Sequence, residues 1–120
     1  MKLTVRLLVI AVLVAALGSL AYAAEVQGFL LDRACATKIV AAQDQKAAQN
    51  HTRECALMPD CVKAGYGVFT ADGKFLTFDQ AGNQKAEQAL KASKKKDNIK
   101  VQVTGDQSGD SIKVTAIKIL

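Results

Sequence analysis

The stretch YGVFTADGKFLTFD, residues 66–79, predicts a β-hairpin, and this hairpin decides the fold. Its two halves, residues 66–70 and 74–79, are rich in aromatic and β-branched side chains, which favour strands. The tripeptide ADG between them contains Asp72 followed by Gly73, a typical signal of a tight turn between antiparallel strands. We therefore place the other elements of the chain around this hairpin.

One further strand is predicted before the hairpin and two are predicted after it. Residues 25–32 form a mostly apolar first strand, in which Gly28 indicates a bulge or a close approach of two backbones. Residues 99–103, IKVQV, alternate strictly between apolar and polar side chains, as a half-buried strand does. In the last strand, residues 111–120, the apolar phase shifts after Val114, and such a shift predicts a bulge.

Two helical regions complete the predicted fold. Residues 34–65 form a helical insert after the first strand, and one helix is expected from residue 34 to about residue 50, since Ala, Gln and Lys are frequent there. A short amphipathic helix covers residues 83–94, between the third and fourth strands. This order predicts a mainly β (α+β) fold, a small five-stranded OB-fold-like barrel with a helical Cys/His insert after strand 1. The alternative is an open α+β sheet with its helices on one face.

The predicted core takes one apolar side of each strand and helix. Its members are Val26, Phe29, Leu31, Val68, Leu76, Phe78, Leu90, Ile99, Val101, Val103, Ile112, Val114 and Ile117. We expect Tyr66 and Phe75 on the outside of the barrel, where aromatic side chains can stack on a ligand. Because apolar burial alone gives a chain of this size only marginal stability, a crosslink or a metal ion would add useful stabilisation.

The first 23 residues have the layout of a secretory signal peptide. Lys2 and Arg6 form a basic start, residues 7–17 are an unbroken apolar run, and AYA at residues 21–23 supplies the small residues of a cleavage site. A membrane-spanning helix needs about 20 apolar residues, and this run is shorter. We therefore predict cleavage after this tripeptide, a single domain over residues 24–120, and a periplasmic or secreted location.

The charge of the predicted mature domain is mild. Without Lys2 and Arg6 it has 14 basic and 11 acidic residues, and much of the excess lies in KASKKK, residues 91–96. Such a cluster can bind phosphate groups or an anionic membrane surface, but it is more often simply solvated. Export also argues against a nucleic-acid partner. The expected partners are a small ligand, a metal ion or a protein of the cell envelope, with no membrane span after signal cleavage.

The candidate functional residues are the cysteines and the histidine of the insert, namely Cys35, His51, Cys55 and Cys61. His51 and Cys55 are four residues apart, a spacing that places two side chains on one face of a helix. Three thiolates and an imidazole are the ligands of a tetrahedral Cys3His zinc site, and they also suit copper, Cu(I) in particular. The sequence therefore predicts a zinc or copper site formed by these four residues.

Two other uses of the same residues remain open. Exported cysteines tend to oxidise, which favours a disulfide between Cys55 and Cys61 or between Cys35 and Cys61. Either bridge would stabilise the insert by about 2–4 kcal/mol. Alternatively, His51 activates a cysteine as a redox or nucleophilic thiol, although the chain contains no C-x-x-C pair. Asp32 either caps the helix that follows it or hydrogen-bonds a ligand histidine.

The order of these motifs resembles a family of small secreted bacterial domains of unknown function. The resemblance rests on GFLLDRAC, HTRECALMPDCVKAG, the hairpin, and the strands IKVQVTG and IKVTAIKI. It covers almost all of the mature chain, and its matching positions are Gly28, Asp32, Cys35, His51, Cys55, Cys61, Gly65 and Gly105. It implies export and an OB-like β-domain, and no established activity.

Three functions follow from these features. The first is an exported, non-enzymatic OB-like binding domain of unknown ligand, whose insert is disulfide-linked or metal-loaded. The second is a periplasmic metal-binding protein that uses Cys35, His51, Cys55 and Cys61. The third is a thiol-redox protein that acts through Cys55 or Cys61.

Overall fold

The computed structural model describes residues 21–120, and its strands close into a barrel. Residues 1–20 of the predicted signal peptide lie outside the described residues. The strands are β1 (Tyr22–Asp32), β2 (Tyr66–Thr70), β3 (Phe75–Phe78), β4 (Lys100–Ser108) and β5 (Ser111–Ile119). Their order around the barrel is β1-β2-β3-β5-β4. β1 pairs antiparallel with both β2 and β4, and β3 pairs parallel with β5, so the predicted OB-fold-like barrel is confirmed.

Five helices accompany the barrel in the described part of the chain. Four of them form the insert between β1 and β2, namely α1 (Arg33–Ala41), α2 (Gln45–Asn50), α3 (Arg53–Ala56) and α4 (Pro59–Ala64). The fifth, α5 (Gln80–Ala92), connects β3 to β4 as predicted.

The single helix predicted from residue 34 to about residue 50 is wrong, because the chain breaks between α1 and α2. Gln43 adopts a left-handed φ of 51°, and the side chain of Asp44 accepts a hydrogen bond of 2.9 Å from the Ala47 amide. An aspartate in this position satisfies an unpaired amide of a new helix, which favours a restart over continuation. The break allows the insert to fold back across the outside of the barrel.

Two glycine positions explain local features of the barrel. A Cβ atom at Gly28 would lie 2.2 Å from the carbonyl oxygen of Phe69, which confirms a close approach of β1 to β2. The register of β4 against β5 shifts between Thr104 and Gly105, leaving Thr115 as the extra residue of β5. The predicted bulge in the last strand is therefore confirmed.

The apolar side chains form two clusters, one inside the barrel and one under the insert. Leu30, Val68, Leu76 and Val103 lie inside the barrel with the other inward-facing residues. Phe29 and Leu31, predicted for the same core, instead pack with Ala36, Ala48 and Phe69 beneath the insert. Both faces of this end of β1 are covered, so its sequence is apolar in both phases and alternation does not indicate which side faces inward.

The two ends of the insert meet at the rim of the barrel. Asp32, the last residue of β1, is the register partner of Tyr66, the first residue of β2. The Arg33 amide donates a 2.8 Å hydrogen bond to the carbonyl oxygen of Gly65, whose φ is 89°. Residues that follow Asp32 and residues that precede Tyr66 are thereby held close together. Among the described helices, none is long and apolar enough to cross a membrane.

Candidate functional site

The centre of the candidate site is the carboxylate of Asp32, which is completely buried. Asp32 precedes α1, and its Oδ2 accepts a 2.9 Å hydrogen bond from the Cys35 amide, as a helix N-cap does. Its Oδ1 lies 2.7 Å from Nε2 of His51. Both roles considered for Asp32, the helix cap and the partner of the histidine, are present in one side chain.

His51 reaches Asp32 from the end of α2. It follows the helix in an extended conformation, with φ −63° and ψ 130°, and its side chain is only 8 % exposed. Because an ionised carboxylate can only accept hydrogen bonds, Nε2 of His51 is the donor in this contact. The contact ties α2 to the rim of the barrel over 19 residues of chain.

Two sulfur atoms complete the cluster beside Asp32. Cys35 lies in the first turn of α1 and is partly exposed, whereas Cys61 lies in α4 and is buried. One carboxylate oxygen of Asp32 and the Sγ atoms of Cys35 and Cys61 all lie within 4.8 Å of one another. We call Asp32, Cys35 and Cys61 the Asp–Cys–Cys cluster.

His51 and Cys55 do not share a helix, contrary to the spacing argument. Thr52 begins α3 by accepting a 3.1 Å hydrogen bond from the Cys55 amide, so His51 stands before that helix in extended backbone. Cys55 is exposed and lies outside the Asp–Cys–Cys cluster. Of the four candidate residues, the structure therefore brings Cys35 and Cys61 together and joins His51 to them through Asp32.

The pKa values of the cluster describe an ionised carboxylate and two protonated thiols. Burial alone would raise the pKa of Asp32, but the hydrogen bonds from His51 and the Cys35 amide outweigh it, and the pKa lies below its usual range. Burial and then the neighbouring Asp32 charge raise the pKa of Cys35. Burial, a hydrogen bond to Asp32 and then the Asp32 charge raise the pKa of Cys61 to about 12.

The two aromatic residues expected on the outside of the barrel have different environments. Tyr66 is fully buried in the barrel core, where its hydroxyl donates a 2.7 Å hydrogen bond to the carbonyl oxygen of Ala56, so its predicted exterior position is wrong. The hydrogen bond satisfies its only polar atom and also anchors α3. Phe75 is half-buried on the outer surface and packs against the cluster beneath the insert.

The lysine cluster forms one wall of a basic cleft of about 620 Å³ between α3 and the segment after α5. Several of its polar groups already have partners within the chain. The Arg53 guanidinium donates to the carbonyl oxygens of Leu90 and Lys91, and Nζ of Lys95 donates to the carbonyl oxygen of Leu120. The contacts of Arg53 satisfy carbonyl oxygens in the last turn of α5. Lys94 and Lys96 remain exposed to solvent.

No disulfide joins the three cysteines in the described structure. No family model, curated protein or solved structure compared with the chain matches it. The resemblance to small secreted bacterial domains therefore stays a prediction, and the candidate function rests on the geometry of the insert.

The sequence did contain a signal for the Asp–Cys–Cys cluster. In an OB-like barrel the first two strands pair antiparallel, so residues just after the first strand lie close to residues just before the second. Cys35 is three residues beyond Asp32, and Cys61 is five residues before Tyr66. Cys55 is nearer the middle of the insert, where this relation does not hold.

Proposed function

We propose that this protein is an exported, non-enzymatic binding domain whose insert holds one thiophilic metal ion, zinc or Cu(I). The ligands are the Sγ atoms of Cys35 and Cys61 and a carboxylate oxygen of Asp32. His51 holds the carboxylate in position from outside the ligand set. A tetrahedral ion bound in this way keeps one coordination position for water or an external ligand.

The observation that carries this proposal is the spacing of the three ligand atoms. A tetrahedral zinc ion has thiolate ligands at about 2.3 Å, which places two of them roughly 3.8 Å apart. The 4.8 Å limit on all distances within the Asp–Cys–Cys cluster is compatible with that arrangement after small side-chain rotations. Three ligand atoms, two thiolate sulfurs and one carboxylate oxygen, therefore converge in a small region, and all are ligand types that zinc accepts.

The hydrogen bonds that satisfy the buried carboxylate of Asp32 also fix its orientation, as a metal ligand requires. A carboxylate removed from water is costly unless it is paired or bound to a metal. Asp32 is fully buried, and the groups around it are a histidine, a helix amide and two cysteines. A histidine that hydrogen-bonds a ligating carboxylate fixes its orientation, as second-layer residues of metal sites do.

The electrostatics of Cys35 and Cys61 argue against a redox role for these two thiols. A nucleophilic cysteine needs a lowered pKa, so that the thiolate is present at neutral pH. Burial and the Asp32 charge instead raise the pKa of both Cys35 and Cys61. A metal ion can still displace these protons, because binding free energy is coupled to ligand deprotonation.

A disulfide between Cys35 and Cys61 is the second candidate, favoured by the short distance between their sulfur atoms. It would join α1 to α4 and stabilise the fold by about 3 kcal/mol for a loop of this length. The same bond removes both thiolate ligands, so oxidation and metal binding exclude each other at this site. Of the two bridges considered from the sequence, this one agrees with the geometry.

Native mass spectrometry of the protein purified under reducing conditions tests the metal proposal. With one equivalent of Zn²⁺ we expect a single bound ion, removed by chelator and absent from Cys35→Ser and Cys61→Ser variants. Cys55→Ser is the matched control, because it removes a thiol outside the cluster, and it should bind Zn²⁺ like the wild type. Loss of the ion in Cys55→Ser, or no stoichiometric ion in the wild type, would overturn the proposal.

A further inference from the structure

A separate groove lies between α1 and the outer face of β3, with a volume of about 450 Å³. Its apolar wall consists of Ala36, Val40 and Ala41 from α1 and Phe75 from β3. The polar residues at the groove are Arg33, Thr37 and Thr77, and the hydroxyls of both threonines already donate to backbone carbonyl oxygens. A mostly apolar groove of this size with a few polar groups is the usual form of a small-molecule site.

Arg33 is the unusual member of this groove. One of its terminal nitrogens donates a 2.7 Å hydrogen bond to the carbonyl oxygen of Phe78, while its buried Nε has no partner. Among the described residues, no carboxylate lies within ion-pair distance of the guanidinium. A partly buried cation without a counter-charge carries an electrostatic cost that a bound anion would offset.

We propose that this groove binds a small monocarboxylate with a short apolar body. The apolar body lies along Val40 and Phe75, and the carboxylate ion-pairs with Arg33. A planar guanidinium matches a carboxylate in shape and charge. One cation beside an apolar wall suits a single negative charge, whereas a highly charged phosphate would be better matched by several cations. The proposal does not depend on a metal ion in the Asp–Cys–Cys cluster.

Titration of ¹⁵N-labelled protein with octanoate, followed by amide chemical shifts, tests this site. Octan-1-ol and octylamine serve as probes of the same chain length without the negative charge. We expect octanoate to shift the amides of Ala36, Val40, Phe75 and Thr77, with octan-1-ol binding weaker on the order of tenfold. Octylamine should bind more weakly still, because Arg33 repels it.

Two variants separate the role of Arg33 from a general charge effect. Arg33→Gln should reduce octanoate affinity to the level of octan-1-ol, whereas Lys38→Gln, a cation on the same helix outside the groove, should leave it unchanged. Equal affinity of the wild type for octanoate and octan-1-ol would overturn the proposal, even where Arg33→Gln fails to fold. Equal loss in both variants, or the same shifts with inorganic phosphate alone, would also overturn it.

Discussion

Nε2 of His51 lies 2.7 Å from Oδ1 of Asp32, across 19 residues of chain, and both side chains are withdrawn from solvent. The contact joins the end of α2 to the junction of β1 and α1. Asp32 also caps α1 through the Cys35 amide, so one carboxylate positions two of the candidate site residues. This carboxylate should therefore stabilise the fold more than an ordinary helix cap does.

Asp32→Ala should lower the free energy of unfolding by roughly 2–4 kcal/mol, the sum of a lost helix cap and of buried partners left without an acceptor. Asp44→Ala is the matched control, since Asp44 caps α2 in the same way but is exposed. It should lower the free energy of unfolding by about 1 kcal/mol. Urea titrations of both variants give the comparison, and equal losses would contradict a special role of the buried carboxylate.

The stability of the barrel should fall in alkaline solution because of Tyr66. Burial raises the pKa of its hydroxyl above the ordinary value of 10.0. The folded chain therefore keeps this proton at a pH where the unfolded chain releases it. The stabilising effect is fully present below pH 10.0 and is lost as the pH rises towards the folded-state pKa.

Tyr66→Phe tests this alkaline effect. At neutral pH the variant should lose about 1–2 kcal/mol, since the Ala56 carbonyl oxygen loses its donor. Its free energy of unfolding should depend less on pH above pH 10.0 than that of the wild type. Urea titrations at neutral and alkaline pH measure both effects, and identical pH dependence of the two proteins would count against this assignment.

Oxidation should join Cys35 to Cys61 and leave Cys55 free. We expect the oxidised protein to be lighter by two hydrogens and to carry one alkylated cysteine, identified by peptide mapping as Cys55. The structural reason is that the sulfurs of Cys35 and Cys61 are neighbours, whereas Cys55 is exposed outside their cluster. A bridge that contains Cys55 in the folded monomer would be incompatible with the arrangement of the insert.

Export should remove the chain up to Ala23. The cleavage signal AYA overlaps the first residues of β1, where Tyr22 and Ala23 pair with Gln107 and Asp106. Tyr22 is 58 % exposed, so losing this end of the strand should leave the barrel core intact. N-terminal sequencing of the protein from the periplasm or medium should begin at Ala24, and an intact Met1 with retention in the cytoplasm would refute the prediction.

Much of the fold could be predicted because local patterns determine it. The turn at Asp72 and Gly73, the alternation of residues 99–103 and the phase shift in the last strand each correspond to an observed element. Which residues of β1 face the barrel interior could not be predicted, because the insert covers the outer face of this strand. Alternation of apolar and polar residues shows which side chains face inward only where the other face of the strand meets solvent.

The site was harder to predict because it depends on how the insert folds back. The spacing of His51 and Cys55 suggested one helix face, but the cap formed by Thr52 separates them. Asp32 could be predicted as a cap from its position before α1. Its position beside the sulfurs of Cys35 and Cys61 depends on the pairing of β1 with β2, which local periodicity does not encode.

The most direct test of the central claim is the absorption spectrum of the reduced protein with Co²⁺ in place of zinc. We predict thiolate-to-cobalt charge-transfer bands together with the visible bands of a tetrahedral ion. Cys61→Ser should lose the two-thiolate spectrum, and Cys55→Ser should keep it. A wild-type spectrum without thiolate charge-transfer bands, or an unchanged spectrum in Cys61→Ser, would contradict a metal centre at Asp32, Cys35 and Cys61.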